Sequence, residues 1–237
     1  MSAHTTTVIG ELRASVSGRV VGPGDAGYDT MRVVFPGGVD SRPAAIIRPA
    51  GAEDVSRAIG VVRKSGVPLA IRSGGHTIHS TAEGGVVLDL RELTTLEIDA
   101  PGRTAWAQTG LTAAAYSKAV GAHGLATGFG DTGSVGIGGI TLGGGIGYLA
   151  RKHGMSIDSL IAAEIVTADG AIRQVDASSD PDLFWAIRGG GGNFGVATRF
   201  KFQLRPVDHV VGGKLLLPPT AEEIEKFVVA AGAGPAR

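Results

Sequence analysis

Short apolar runs broken by polar, glycine-rich turns set the pattern of the first half of the chain. Ala44 to Arg48 reads as a short strand. Ala52 to Ser65 follows as a helix, because Val55, Ile59 and Val62 recur at helical spacing on one face. Pro68 to Ile71 is a strand that its composition marks as buried. Val86 to Leu90 and Thr95 to Ile98 are two more. Thr104 to Gln108 begins a second sheet, and Thr112 to Val120 is an alanine-rich helix. Ahead of these, residues 1–40 hold turn signals, VGPGDAGYDT and FPGG, and a weak helix.

The second half alternates more cleanly. Leu160 to Thr167 and Ala171 to Val175 pair as a hairpin across Asp169-Gly170, a dipeptide suited to a tight turn. Asp180-Pro181 opens a helix through Ile187, with the carboxylate as N-cap and proline in the first turn. Phe184 and Trp185 on that helix read as core. Asn193 caps a glycine turn. Phe194 to Leu204 is a half-buried strand, which Pro206 closes. HVVGGKLLLP then starts a further strand, and Ala221 to Ala231 a helix, as a new domain would open.

Composition narrows the classes. The 237 residues are 43% hydrophobic, enough for one large core or two small ones. Formal charge is +0, so no field favours nucleic acid or an acidic membrane surface. There is no cysteine, hence no disulfide, thiolate metal site or thiol nucleophile. The N-terminus lacks a basic start followed by an apolar core, and no apolar run is long enough to span a bilayer. These features set an expectation of a soluble cytoplasmic protein.

Glycine changes the picture most. The 39 glycines are more than twice the ordinary share of about 7%. They cluster between Gly121 and Gly154 and again from Gly189 to Gly195, interleaved with apolar residues rather than charge, which argues against disorder. Clustered glycine lets a large ligand lie against main chain. GFGDTG (Gly128 to Gly133) matches the dinucleotide pattern but lacks both the preceding strand and the acid about 20 residues on, so a nicotinamide site is set aside. Ser134 to Gly139 offers consecutive N–H groups as an anion nest. Gly143 to Gly147 precedes a helix through Lys152, whose N-terminus favours phosphate. By composition alone, glycine turns packed on a sheet remain the other reading. His76 and His79 form a His-x-x-His pair with no third ligand, so no metal is expected.

Four motifs occur in order: RSGGHT from Arg72, GDTGSVGIGGITLGGGIGYLARKHG from Gly130, AAEIVTADG from Ala162 and DLFWAIRGGGGNFGVAT from Asp182. Over roughly Val39 to Leu204 the chain resembles the FAD-binding domain shared by vanillyl-alcohol oxidase and p-cresol methylhydroxylase (PCMH-type) relatives, in particular the berberine-bridge-enzyme-like FAD-linked oxidases. The resemblance implies an α+β fold. After an arm (1–38), a PCMH-type FAD-binding domain (39–206) contains two α+β subdomains, about 39–100 and 101–206. Residues 207–237 then form the truncated start of a substrate domain.

It also implies a site. Arg72, Ser73, Gly74, Gly75 and Thr77 correspond to the loop that wraps the FAD pyrophosphate. His76 corresponds to the histidine bonded to the flavin 8α-methyl, a role that suits neutral imidazole. Thr132 stands where some relatives carry a second, cysteine bond, so attachment is single. Ser134, Val135 and Gly136 correspond to cofactor-binding positions, with Val135 at the flavin's oxygen-reactive edge, which implies dioxygen (O2) as acceptor. Gly139, Gly145, Gly147 and Tyr148 pass the pyrophosphate and ribityl chain. Ile165, Val166 and Val196 fall where relatives touch adenine or flavin. Two departures are local: Ile140 replaces a histidine, and the loop HTIHST is about two residues short. The implied activity is hydride transfer from a C–H beside O or N of a sugar, alcohol or amine-like substrate to FAD, then H2O2 release, with the catalytic groups unknown and expected in the C-terminal part. A non-catalytic FAD-binding fragment and a same-fold NADPH-dependent flavin reductase are the alternatives.

Overall fold

The structure, a computed structural model, describes residues 3–207, 209–210 and 212–234. It divides into two compact units, Met1–Pro206 and Val207–Arg237.

The first unit begins with helix α1 (Ala3–Ser15), whose Val8, Ile9 and Leu12 are buried. Strand β1 (Arg19–Val21) and helix α2 (Tyr28–Arg32) follow, then β2 (Ala45–Arg48), α3 (Ala52–Ser65), β3 (Leu69–Arg72) and β4 (Val86–Asp89). The sheet order is β1-β2-β4-β3. β4 lies between β2 and β3 and parallel to both, while β1 is an antiparallel edge. Parallel neighbours need a long crossover, and α3 supplies one. Its buried Val55, Ala58, Ile59 and Val62 form the expected face, and Gly66 ends it at φ 69 with its N–H on the Val62 carbonyl. α1 packs on α3 and β1 joins the sheet, so residues 3–21 belong to this layer.

The second layer holds β5 (Leu96–Asp99), β6 (Thr104–Gln108), α4 (Ala113–Gly121), β7 (Leu125–Ala126), α5 (Ile137–Leu142), α6 (Ala150–His153), β8 (Leu160–Val166), β9 (Ile172–Asp176), α7 (Pro181–Gly190), β10 (Val196–Gln203) and β11 (Arg205–Pro206). Its antiparallel sheet runs β5-β6-β10-β8-β9, and β11 pairs with β7. One face buries Phe200 and Phe202 with Tyr116 and Phe129, rings meeting edge-on at 5.0–5.8 Å. The opposite face is polar, with the Arg199 guanidinium 4.6 Å above the Trp106 ring. No helix among the described residues is long and apolar enough to cross a membrane.

Several expectations change. Phe184 is buried but Trp185 is 79% exposed, since neighbours on a helix point about 100° apart. Asp180 precedes α7 at φ 55 and caps nothing; its carboxylate accepts from Arg173 at 3.2 Å. β10 starts only at Val196, because Gly191–Phe194 forms a tight turn first and Gly195 adopts φ 149. α5 was not expected, since its two glycines disfavour helix; burial of Ile137 and Leu142 overrides that. In the second unit, the strand expected within HVVGGKLLLP does not form among its described residues, which have no ladder partner. Asp208 and Val211 lie outside the described residues. α8 (Ala221–Gly232) forms, with the Thr220 hydroxyl accepting from the Glu223 N–H.

Buried Asp54, in the first turn of α3, knits the first layer together. Its carboxylate accepts from the Ser17, Gly18 and Ala50 N–H groups at 2.9, 2.8 and 3.0 Å, and from Arg57 at 3.0 Å. Burial opposes the charge, but the three backbone donors with Arg57 outweigh it and hold the carboxyl below its ordinary value. Asp54→Asn should therefore cost about 2–4 kcal/mol in urea unfolding at neutral pH. A depressed carboxyl pKa stabilises above the ordinary carboxylate range and is lost as pH falls through it. The gap between wild type and variant should thus close in acid. Equal midpoints at neutral pH would show that Asp54 carries no such load.

Candidate functional site

The loop after β3 begins on a buried cation. The Arg72 side chain is wholly buried, donating to the carbonyls of Ser80 (3.0 Å), Met31 (2.5 Å) and Arg32 (3.4 Å). It lies 3.9 Å from Asp89, its register neighbour at the end of β4. Asp89 is also wholly buried. Arg91 grips it through two nitrogens, at 2.8 and 2.6 Å, and Arg48 lies 3.6 Å away. Burial pulls the Arg72 guanidinium below its ordinary pKa and Asp89 pushes it back up; the hydrogen bond to Asp89 raises that of Arg91. The Arg72 side chain thus closes the base of the loop, and its main chain is what it can offer a ligand.

Above this base the loop is nearly bare. The N–H groups of Gly74, Gly75, His76 and Thr77 donate to no protein acceptor among the described residues. Gly75 sits at φ 79, which favours glycine. Ser73 staples the loop to the second layer, its hydroxyl donating to the Thr109 carbonyl at 2.6 Å and accepting from the Gly138 N–H at 3.2 Å.

The partner loop, residues 132–138, is laced to the segment after β6. Ala113 N–H donates to Val135, Ile137 to Leu111 and Gly138 to Thr109. The two loops meet main chain to main chain. A Cβ on Gly136 would run into the Ser73 hydroxyl and the Gly74 nitrogen, and one on Gly74 into Gly136. Here glycine serves close approach. Across the gap, His76 Nε2 and Ser134 Oγ are 3.1 Å apart, and the imidazole stacks on Phe35 with centroids 4.2 Å apart. A cavity of about 390 Å³ opens beside the loops, lined by Ser73, Gly74, Arg91, Leu111, Thr112 and Ser134 among others. Arg91 is the one charged group in that lining among the described residues.

The remaining candidates divide. Gly139 faces open space, and Tyr148 and Thr132 are exposed. Val135 is half-buried beside Ser134. Gly145 and Gly147 press against Ser156 and the Phe129 carbonyl, so protein packing accounts for their lack of a side chain. Ile165, Val166 and Val196 are buried in the two cores, leaving main chain for any contact. Asp89, Arg91, Thr109 and Phe35 were not singled out from the sequence. A carboxylate ending the apolar run VVLD was the available signal for Asp89; Phe35 in a proline-glycine turn carried none.

Chemically, a run of free N–H groups beside a glycine-only approach suits a diphosphate, held by dipoles rather than by an exposed lysine. Comparison with known proteins places the chain in a family. Residues 43–176, more than half of the chain, match the family model described as an FAD binding domain. (R)-6-hydroxynicotine oxidase of Paenarthrobacter nicotinovorans is 34% identical over 89% of this chain and 46% of its own length. The crystal structure of 6-hydroxy-D-nicotine oxidase from Arthrobacter nicotinovorans superimposes with TM-score 0.79 at 36% identity, covering 81% of this chain and 43% of that one. Glucooligosaccharide oxidase from Acremonium strictum, described with a 6-S-cysteinyl, 8α-N1-histidyl FAD, gives TM-score 0.78 at 31% identity over 83% of this chain and 42% of its own. The chain thus spans less than half the length of these relatives. It belongs to the FAD binding domain family of the FAD-linked oxidoreductases, in the PCMH-type, berberine-bridge-enzyme-like group.

Proposed function

We propose that this chain is the FAD-holding part of an oxidase, with the flavin bonded singly through His76. The observation that carries the reading is the juxtaposition of four free N–H groups, Gly74 to Thr77, with the His76 ring held against Ser134. The residues fit FAD. The N–H run matches a diphosphate, and the Gly74–Gly136 contact brings the two loops that would hold it together main chain to main chain. His76 belongs to the same run, so its ring borders the position such a group would take.

When bound, the flavin would supply hydride acceptance from a C–H beside N or O, and its reoxidation by dioxygen would release H2O2. The protein's share is placement. The Gly74–Thr77 backbone binds and orients, Ser73 fixes the distance between the two loops, and half-buried Val135 borders Ser134 on the side assigned to dioxygen. The relatives named for hydroxynicotine and glucooligosaccharide support an amine-like or sugar substrate, whose recognition would come from beyond residues 43–206.

Three outcomes test this. After acid precipitation the FAD-loaded protein should stay yellow, and His76→Ala should lose that colour while keeping dissociable FAD; a colourless wild-type pellet rejects the covalent bond. Gly136→Ala should weaken FAD binding by about ten-fold or more, because overpacking against main chain costs about 1–3 kcal/mol. Unchanged affinity would place the diphosphate elsewhere. Finally, chemically reduced holoprotein should regain its colour in air within seconds. Persistence for minutes, or bleaching by NADPH, would favour a reductase instead.

A further inference from the structure

We propose that the outer, polar face of the second sheet carries a binding site for a small polyhydroxy carboxylate, held with its carboxylate between Arg199 and Lys201 and its hydroxyls towards Asp176.

Cross-strand register builds the site. On β10, Arg199 and Lys201 are two residues apart, so both side chains leave the same face, about 7 Å apart along the strand. Lys201 lies opposite Trp106 on β6 and Ala162 on β8, and Ala162 lies opposite Asp176 on β9. One row across four strands therefore reads Trp106, Lys201, Ala162, Asp176. The methyl of Ala162 is the shortest side chain in that row, and a cavity of about 420 Å³ opens over it. It shares no lining residue with the cavity beside the His76 loop.

The two ends of the cavity differ in chemistry. At the β10 end, Lys201 has no hydrogen bond or ion pair among the described residues. Arg199 uses one nitrogen, 3.2 Å from Glu164, while its plane lies over the Trp106 ring. Its Nη1 has no partner among the described residues. At the β9 end, one Asp176 oxygen accepts from the Ser178 N–H and hydroxyl and the Ser179 N–H at 2.8, 2.7 and 2.8 Å. Its other oxygen has no partner among the described residues. The Ser178 hydroxyl and the two N–H groups hold this carboxyl below its ordinary value, so it stands as an acceptor at neutral pH.

Reach decides what fits. Strand β8 separates Lys201 from Asp176, so the two walls stand about 10 Å apart at the main chain. A lone ion, or acetate, meets one wall only. A carboxylate followed by several hydroxyl-bearing carbons meets both. Its oxygens accept from Lys201 and Arg199, and a hydroxyl donates to the open Asp176 oxygen. Its C–H groups lie against Trp106 and Ile161, the apolar part of the lining.

Trp106 reports on occupancy. The chain has two tryptophans, and Trp185→Phe leaves Trp106 as the single emitter. Gluconate titrated into the full FAD-loaded chain of that background should change the emission saturably, with matching binding heat by calorimetry. Glucose lacks the carboxylate and acetate lacks the hydroxyls, so each should need concentrations about ten-fold higher or more. Lys201→Gln should raise the half-saturation concentration of gluconate by about ten-fold or more, the range for a hydrogen bond to a charged group, and Lys201→Arg should retain binding. Ala162→Val should fill the depression and abolish the response. Both substitutions should keep the wild-type urea midpoint; if valine at 162 shifts it, half-buried Lys201 decides alone. Absence of both the emission change and the heat, or Lys201→Gln binding as wild type does, overturns the site. Acetate or inorganic phosphate binding as tightly as gluconate overturns the polyhydroxy carboxylate, since an unselective anion patch would then explain the cations.

Discussion

One buried carboxylate organises the cradle. Asp89 lies among Arg72, Arg91 and Arg48 at the end of a fully buried strand. Arg48 is shared with Glu92 at 2.6 Å. That leaves Asp89 outnumbered by Arg72 and Arg91. A buried ion pair is poor evidence of net stability, because desolvation offsets attraction, but removing one partner strands the other. Its use here is geometric. Three carbonyls from two separate segments are drawn onto one guanidinium, which fixes where the loop starts and where it returns. Of the two, Arg72 lies wholly buried beneath the loop, whereas Arg91 borders the cavity beside it, and both raise the potential at the free N–H groups.

The second condition is contact between layers. The loop from the parallel sheet meets the loop from the antiparallel sheet through glycine main chain and a single serine hydroxyl. A Cβ at either glycine would lie 2.1–2.3 Å from atoms of the opposite loop, so the seam would have to open. Binding geometry here depends on what the sequence omits at Gly74 and Gly136 as much as on what it supplies at Ser73 and His76.

Much of this was legible in the residues. α3 was readable because its apolar spacing, the glycine after it and its burial agree. The β8–β9 hairpin was readable from Asp169-Gly170, where Gly170 takes φ 85. The four motifs carried the family. What stayed hidden depended on tertiary partners. Trp185 differs from Phe184 only in the direction it faces. α5 forms against its own propensity because the core needs Ile137 and Leu142. The Arg72 side chain looked available to a ligand until Met31, Arg32 and Ser80 claimed it, and no local pattern reveals carbonyls that arrive from 40 residues away. Gly145 and Gly147 illustrate the same ambiguity, since a glycine that meets protein and one that meets a ligand look alike in sequence.

Val166 and Val196 lie at the ends of β8 and β10 in the second sheet, yet both are buried in the core beneath the first. The first layer is therefore not a finished body when its own strands have been made. During synthesis β4 is complete long before Val196 leaves the ribosome, and until then that core has an open, apolar side. At about 5–20 residues per second this exposure lasts for several seconds, a long interval for an unpaired hydrophobic surface. The interleaving that joins the two layers in the finished protein thus leaves the core of the first layer incomplete until the second has been made.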